Sequence, residues 1–119
     1  MSKQDAREQA LGLLYAADLA PDSAQGEPTG RAGRLAAGVQ EHLKEIDAAI
    51  DAHSTGWRIA RMPAVDRTIL RIGVYELQYT DTPIGVVVSE AVELAKRYST
   101  AKSGSFVNGV LASVAADRS

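Results

Sequence analysis

Cysteine is missing from this 119-residue chain, which excludes a disulfide framework and a thiolate metal site. No apolar run approaches the length needed to cross a bilayer. The first residues also lack the charged-then-apolar pattern of a signal peptide. These absences together predict a cytoplasmic protein.

Catalytic motifs are missing as well. His42 and His53 are eleven residues apart and lack the i, i+4 spacing of a helical metal pair. The glycines of "GRAGRLAAG" are not followed by Lys-Ser or Lys-Thr, so there is no phosphate-binding loop of that type. No nucleophile stands beside a recognisable base. The sequence therefore predicts a protein that is not an enzyme and that needs no metal or cofactor.

The composition is that of a globular domain. Hydrophobic residues make up 45% of the chain and charged residues 24%, which is typical of a soluble protein with a real core. The length predicts one domain over residues 1–119. The net charge of -2 is uneven, since residues 1–54 carry -4 (5 Lys/Arg, 9 Asp/Glu) and residues 55–119 carry +2 (8 Lys/Arg, 6 Asp/Glu). Strong non-specific binding to nucleic acid is not expected, but a local basic site in the second half is compatible with these counts.

Apolar residues recur at helical spacing through most of the chain. The pattern predicts one helix over 4–20, a loop at "APDSAQGEPTG", and one long helix from Gly30 to about His53. Residues 64–80 are apolar around most of the helix circumference, which predicts a position near the centre of the fold. Two further helices follow, the last with Ser103 as its candidate N-cap. The predicted fold class is all-α, with about six helices.

The segment Phe106–Leu111 contains Asn108-Gly109, a dipeptide that favours hairpin turns. Its apolar residues nevertheless follow a helical stripe, and the flanking residues show little period-two alternation. We therefore expect a helix through this point. A helical Gly costs about 1 kcal/mol relative to Ala, and we expect the close approach of another helix to compensate at Gly109.

Three blocks in the second half carry a resemblance to a known family. "VDRTILRIGVYEL", "VVSEAVELAKRY" and "FVNGVL" occur in the order and near the spacing of the NusB family of bacterial transcription antitermination factors. The first helix, "AREQALGLLY", resembles that family more loosely. The resemblance implies a compact bundle of two packed helical subdomains without catalytic activity. It also implies binding to the boxA element of ribosomal RNA leader transcripts, together with ribosomal protein NusE in the antitermination complex of RNA polymerase.

The family's RNA surface maps onto the start of the first helix and the turn into the last one. The corresponding residues are Lys3, Arg7, Lys102, Ser103 and Phe106. Lys and Arg suit phosphates, and an exposed aromatic ring can stack on an unpaired base. Phe106 could equally be a core residue, and Lys3 part of a solvated terminus. The start of the chain is less basic than is usual in the family, whereas Lys102 stands where an acidic residue is common.

The family's NusE surface maps near Tyr15 and Asp66. The alternatives are a tyrosine at the core edge and an aspartate paired on the surface with Arg67 or Arg71, a pair worth roughly 0–1 kcal/mol.

The sequence is compatible with three functions. The first is an adaptor that binds RNA and NusE, and the second is a NusB-like domain of the kind fused to some RNA cytosine methyltransferases. No catalytic domain follows in these 119 residues, so the free-standing factor is expected. The third is a helical module for homodimerisation or protein interaction, with weak or no RNA binding.

Overall fold

A computed structural model describes residues 3–19 and 30–118. Helix α1 spans Lys3–Leu19, and α2 and α3 span Gly30–Glu41 and Leu43–His53. A 3-10 turn at Ile59–Arg61 precedes α4 (Ala64–Tyr79), α5 (Ile84–Tyr98) and α6 (Ala101–Arg118). These six helices and the absence of strands in the described ranges confirm the all-α prediction.

Helix α4 lies at the centre of the fold, as its apolar circumference predicted. It packs against α1, α2, α3, α5 and α6. Ile69, Leu70 and Val74 on α4 are fully buried, and each fully buried side chain of this size contributes about 1.5–3 kcal/mol through the hydrophobic effect. One continuous hydrophobic core joins α4 to side chains of the five helices around it.

The long helix predicted over residues 30–53 is divided at His42. The backbone of His42 (φ -108°, ψ 20°) departs from helical values, although hydrogen bonds from His42 N to Gly38 O and from Ile46 N to His42 O continue across it. The imidazole stacks on Tyr79 of α4 with ring centroids 3.9 Å apart. A single apolar stripe runs through both helices, so periodicity gave no sign of the break.

Helix α6 continues through Asn108 and Gly109, which confirms the helix and excludes the hairpin. The expected close approach at Gly109 is wrong, because a Cβ placed there would have no heavy atom of another helix within 4 Å. The close approach occurs at Gly73 on α4, where a Cβ would lie 2.7 Å from Leu111 Cδ1. The small residue that α4 and α6 need at their contact therefore belongs to α4.

The cap of α6 also differs from the prediction. Thr100, immediately before α6, accepts a hydrogen bond from the Ser103 backbone N–H at 3.0 Å through its Oγ1, which is the geometry of an N-cap. Ser103 lies one turn later, inside the helix and buried. Its hydroxyl lies 2.9 Å from Ser99 Oγ and 3.0 Å from Thr100 Oγ1, and it also reaches α4.

Candidate nucleic-acid interface

An apolar cleft of about 330 Å³ lies where the first turns of α4 and α6 meet the segment before α4. Its lining consists of Trp57, Met62, Pro63, Asp66, Lys102, Ser103 and Phe106. Four of the seven residues mapped from the family resemblance therefore line one surface. Asp66, expected at a partner-binding surface, lies with the three residues expected at the RNA surface.

Asp66 and Ser103 join α4 to α6 beneath this cleft. The Ser103 hydroxyl donates a hydrogen bond of 2.8 Å to Asp66 Oδ2, and both residues are buried. Asp66 lies in the first turn of α4, where the helix dipole favours a negative charge. Its other oxygen, Oδ1, is buried without a hydrogen-bond partner in the described part of the chain. Asp66 thus fixes the two helix starts relative to each other and keeps one acceptor unused.

The surface pair expected for Asp66 is not formed, and the neighbouring arginines bind other carboxylates. Arg67 pairs with Asp18 of α1, while Arg71 makes a bidentate contact with Asp47 at 2.8 and 2.9 Å. Burial of Asp18 opposes its ionisation, but the hydrogen bond and charge of Arg67, with help from Arg71, lower its pKa overall. These arginines join α1 and α3 to α4. Asp66 is therefore not paired with either of them, and it accepts its hydrogen bond from Ser103.

The segment before α4 is held in place from two sides. Asp51 of α3 accepts a hydrogen bond from the Ile59 N–H at 2.7 Å, and Arg67 of α4 donates to Met62 O at 3.2 Å. Gly56 has a φ of +82°, which the turn into this segment requires and which favours glycine. Trp57 is consequently presented at the cleft with 56% of its surface exposed.

Three unpaired cations accompany the two aromatic rings. Lys102 lines the cleft, and Arg58 and Arg61 belong to the same segment as Trp57; all three are exposed. None of them forms an ion pair within residues 3–19 and 30–118. Phe106 is half-buried against the core and also lines the cleft. Its ring therefore packs in the core on one side and is accessible from the cleft on the other. Free cations beside aromatic rings suit a single-stranded nucleic acid.

Trp57, Arg58 and Arg61 were missed by reasoning from the sequence. The signal was the string "WRIAR", which contains one aromatic residue and two cations without an acidic residue. The string contains no recognised motif, and its pattern indicates only a short helical turn. Only the tertiary contact with α6 joins it to Lys102 and Phe106.

Arg7 lies apart from this cleft. It is 5% exposed, and its guanidinium binds Glu76 of α4 through two hydrogen bonds of 2.7 and 2.8 Å. The hydrogen bond to Glu76 is the main reason why the pKa of Arg7 is raised, against the opposing effect of burial. The side chain expected at a phosphate is therefore engaged in the contact between α1 and α4.

The remaining mapped residues are on α1. Lys3 is its first residue, and its side chain lies outside the described part of the structure. Tyr15 is 36% exposed and does not line the cleft with Asp66. The two residues expected to bind the protein partner are consequently not brought together in one pocket.

Comparisons with known proteins agree with this architecture. The model of the NusB family matches residues 4–116. A transcription antitermination protein NusB from Clavibacter sepedonicus is 44% identical, with 97% of this chain and 96% of the relative covered. A protein of the same name from Anaeromyxobacter dehalogenans (strain 2CP-1) is 45% identical over 92% of this chain and 87% of its own.

Solved structures share the fold. NusB of T. maritima superimposes with a TM-score of 0.87 at 31% identity, covering 98% of this chain and 92% of its own. A NusB chain from a crystal structure of antitermination factors NusB and NusE in complex with dsRNA gives 0.83 at 32% identity, over 97% and 96%. None of the helices in the described ranges combines the length and the apolar character that a membrane span requires. The six-helix architecture, the family match and these relatives show that the chain belongs to the NusB family.

Proposed function

We propose that this chain is a cytoplasmic, non-catalytic transcription antitermination factor that binds boxA RNA of ribosomal RNA leader transcripts together with ribosomal protein NusE. The observation that carries the proposal is the meeting of Trp57, Phe106 and Lys102 at one cleft, with Arg58 and Arg61 in the adjoining segment. Curated relatives are named transcription antitermination proteins. One solved relative, NusB, is in a complex with NusE and dsRNA.

In this proposal the cleft binds an unpaired stretch of RNA. The Trp57 and Phe106 rings stack on bases, a contact worth about 1–3 kcal/mol per base. Lys102, with Arg58 and Arg61, neutralises phosphates, which makes the affinity dependent on salt. Arg7 contributes indirectly, by holding α1 against α4, and Lys3 adds a phosphate contact from the start of α1.

NusE binds near Tyr15 on α1 in the same proposal, with Asp66 at the edge of that surface. Tyr15 offers an exposed ring with a hydroxyl, a combination that is common at protein interfaces. Asp66 Oδ1, which is buried without a hydrogen-bond partner in the described residues, would accept an N–H from a bound molecule after a local rearrangement exposes it. The boxA RNA and NusE would then contact each other near the start of α4.

The net charge of -2 limits the affinity of the chain alone. NusE would supply further contacts and order the site in advance, which lowers the cost of binding. We therefore expect weak binding to boxA RNA by the chain alone and markedly tighter binding with NusE.

The test is a fluorescence anisotropy titration of labelled boxA RNA with the chain, with NusE, and with both. Trp57 is the only tryptophan, so quenching of its emission reports whether RNA occupies the cleft. Binding by the mixture that exceeds binding by either protein, with quenching of Trp57, supports the proposal. Absence of binding by the mixture at moderate salt would reject it in favour of a protein-interaction module.

A further inference from the structure

A second cleft lies near the C-terminal end of α4, between α4, α1 and α2. Its volume is about 350 Å³, and Arg31, Arg34 and Tyr75 are prominent in its lining. The ion pair of Arg7 and Glu76 also contributes to its wall. None of these residues lines the first cleft.

The charge of the second cleft is positive. Arg31 and Arg34 are three residues apart on α2, which brings them to the same side of the helix, and both are exposed. Neither pairs with a carboxylate in the part of the chain that the structure describes. Glu76 is neutralised by Arg7, so the two free guanidiniums determine what the cleft attracts.

Three aromatic rings extend from this cleft. Tyr75 stacks with Tyr79 at a centroid distance of 5.7 Å, and Tyr79 stacks with His42 at 3.9 Å. The Tyr75 ring lies against Gly38 of α2, where any Cβ would overlap it, so the backbone of α2 fixes its position. Tyr79 is 40% exposed. Fixed rings beside unpaired arginines suit unpaired bases with their phosphates.

We propose that this cleft is a second contact for single-stranded RNA, in which Arg31 and Arg34 bind phosphates and the row of Tyr75, Tyr79 and His42 supports a base. The inference rests on the proposed function, because it concerns the strand that also occupies the first cleft. The two clefts lie near opposite ends of α4, whose 16 residues span about 24 Å at 1.5 Å per residue. A short RNA therefore reaches one cleft, and a longer RNA reaches both.

The distinguishing experiment uses two labelled single-stranded RNAs from the boxA sequence, of about four and about sixteen nucleotides, titrated with NusE present throughout. Anisotropy measures total binding, and Trp57 emission measures occupancy of the first cleft. The variants are Arg31→Ala/Arg34→Ala and Tyr79→Ala. Lys44→Ala is the control, because it removes an exposed cation that lines neither cleft.

We expect the double arginine variant to bind the longer RNA about tenfold more weakly, with a salt slope shallower by roughly 1.4, since two phosphate contacts are lost at about 0.7 each. Tyr79→Ala should weaken binding of the longer RNA by about tenfold as well. The affinity for the short RNA, measured by quenching of Trp57, should be unchanged in every variant. Lys44→Ala should leave the affinity for both RNAs unchanged.

If the variants of the second cleft lose affinity equally for both RNAs, or lose none for either, the proposed second contact is wrong. In both cases the wild-type chain would still bind RNA and quench Trp57, so the proposed function would stand. If the wild-type chain and NusE together bind neither RNA, the proposed function fails, and this inference fails with it.

Discussion

Arg7 and Glu76 are 69 residues apart in the sequence and form a bidentate ion pair that joins α1 to α4. Both side chains are more than 90% buried. A buried pair of this kind contributes little compared with apolar residues of the same size, but removing one partner leaves an uncompensated charge in the core. The pair is therefore a point at which the fold is sensitive to single substitutions.

Arg7→Ala should lower the free energy of unfolding by about 3–5 kcal/mol, because Glu76 would remain buried without a partner. The double variant Arg7→Met/Glu76→Leu should be close to wild type, since it removes both charges and keeps the volume. Urea unfolding monitored by circular dichroism measures both. A loss below about 1 kcal/mol for Arg7→Ala would mean that Glu76 finds water or another donor.

Substitution of two helical glycines by alanine should have opposite effects. Gly73→Ala places a Cβ 2.7 Å from the fully buried Leu111. Overpacking of this kind costs about 1–3 kcal/mol, of which the gain in helix propensity offsets about 1 kcal/mol. Gly109→Ala adds a methyl group in open space on α6 and should stabilise by up to about 1 kcal/mol through helix propensity. Thermal unfolding of the two variants compares them directly, and a melting temperature that falls for Gly109→Ala would show that Gly109 is needed at a packed contact.

The ion pairs of Asp18 should make stability depend on acid pH. Its pKa in the folded chain lies below the ordinary value of 3.8. The pairs with Arg67 and Arg71 therefore stabilise fully above that value, and this stabilisation is lost as the pH falls through the lower folded-state pKa. Asp18→Asn should be less stable than wild type at pH 7, with a difference that shrinks at low pH. A difference in unfolding free energy that stays constant with pH would refute this role.

Much of the architecture could be predicted because helical periodicity is a local property. The apolar circumference of residues 64–80 was enough to indicate the central position of α4, and the stripe at Phe106–Leu111 outweighed Asn108-Gly109. Periodicity does not report which helices meet, so it could not show that Gly73 rather than Gly109 is needed at the α4–α6 contact. For the same reason it could not show that Arg7 is paired with Glu76.

The residues of the candidate site could likewise be predicted only where they did not depend on tertiary contacts. The resemblance to the family indicated Lys102, Ser103 and Phe106, which the fold brings together. The contribution of Trp57 depends on a turn that Asp51 and Arg67 hold in place over distances of eight and five residues. Such side-chain contacts with the backbone have no periodic signature in the sequence.

Partner binding is best tested at Tyr15. Asp66→Ala would remove the buried hydrogen bond that joins Ser103 of α6 to α4, so a loss of partner binding could reflect a disturbed fold. Tyr15→Ala changes a side chain that is 36% exposed and should weaken the complex with NusE while altering the melting temperature little. Calorimetric titration with NusE measures the affinity. Unchanged affinity would mean that NusE binds elsewhere.

RNA binding should depend on the first cleft through both charge and stacking. Phe106→Ala should weaken binding by about 1–3 kcal/mol if the ring stacks on a base. Its melting temperature must be measured in parallel, because Phe106 also packs against the core.

Lys102→Ala removes an exposed side chain with no ion pair in the described residues, so its effect on stability should be small. Lys44→Ala is its matched control.

The most direct test of the central claim, that this cleft binds RNA, is the salt dependence of boxA affinity for Lys102→Ala with NusE present. Anisotropy titrations over a range of salt concentrations give the slope of log K against log salt. We predict weaker binding than for the wild-type chain, with a slope shallower by roughly 0.7 because one phosphate contact is lost. Quenching of Trp57 should accompany binding. Wild-type affinity and slope for Lys102→Ala, without any change in Trp57 emission on RNA binding, would contradict the claim.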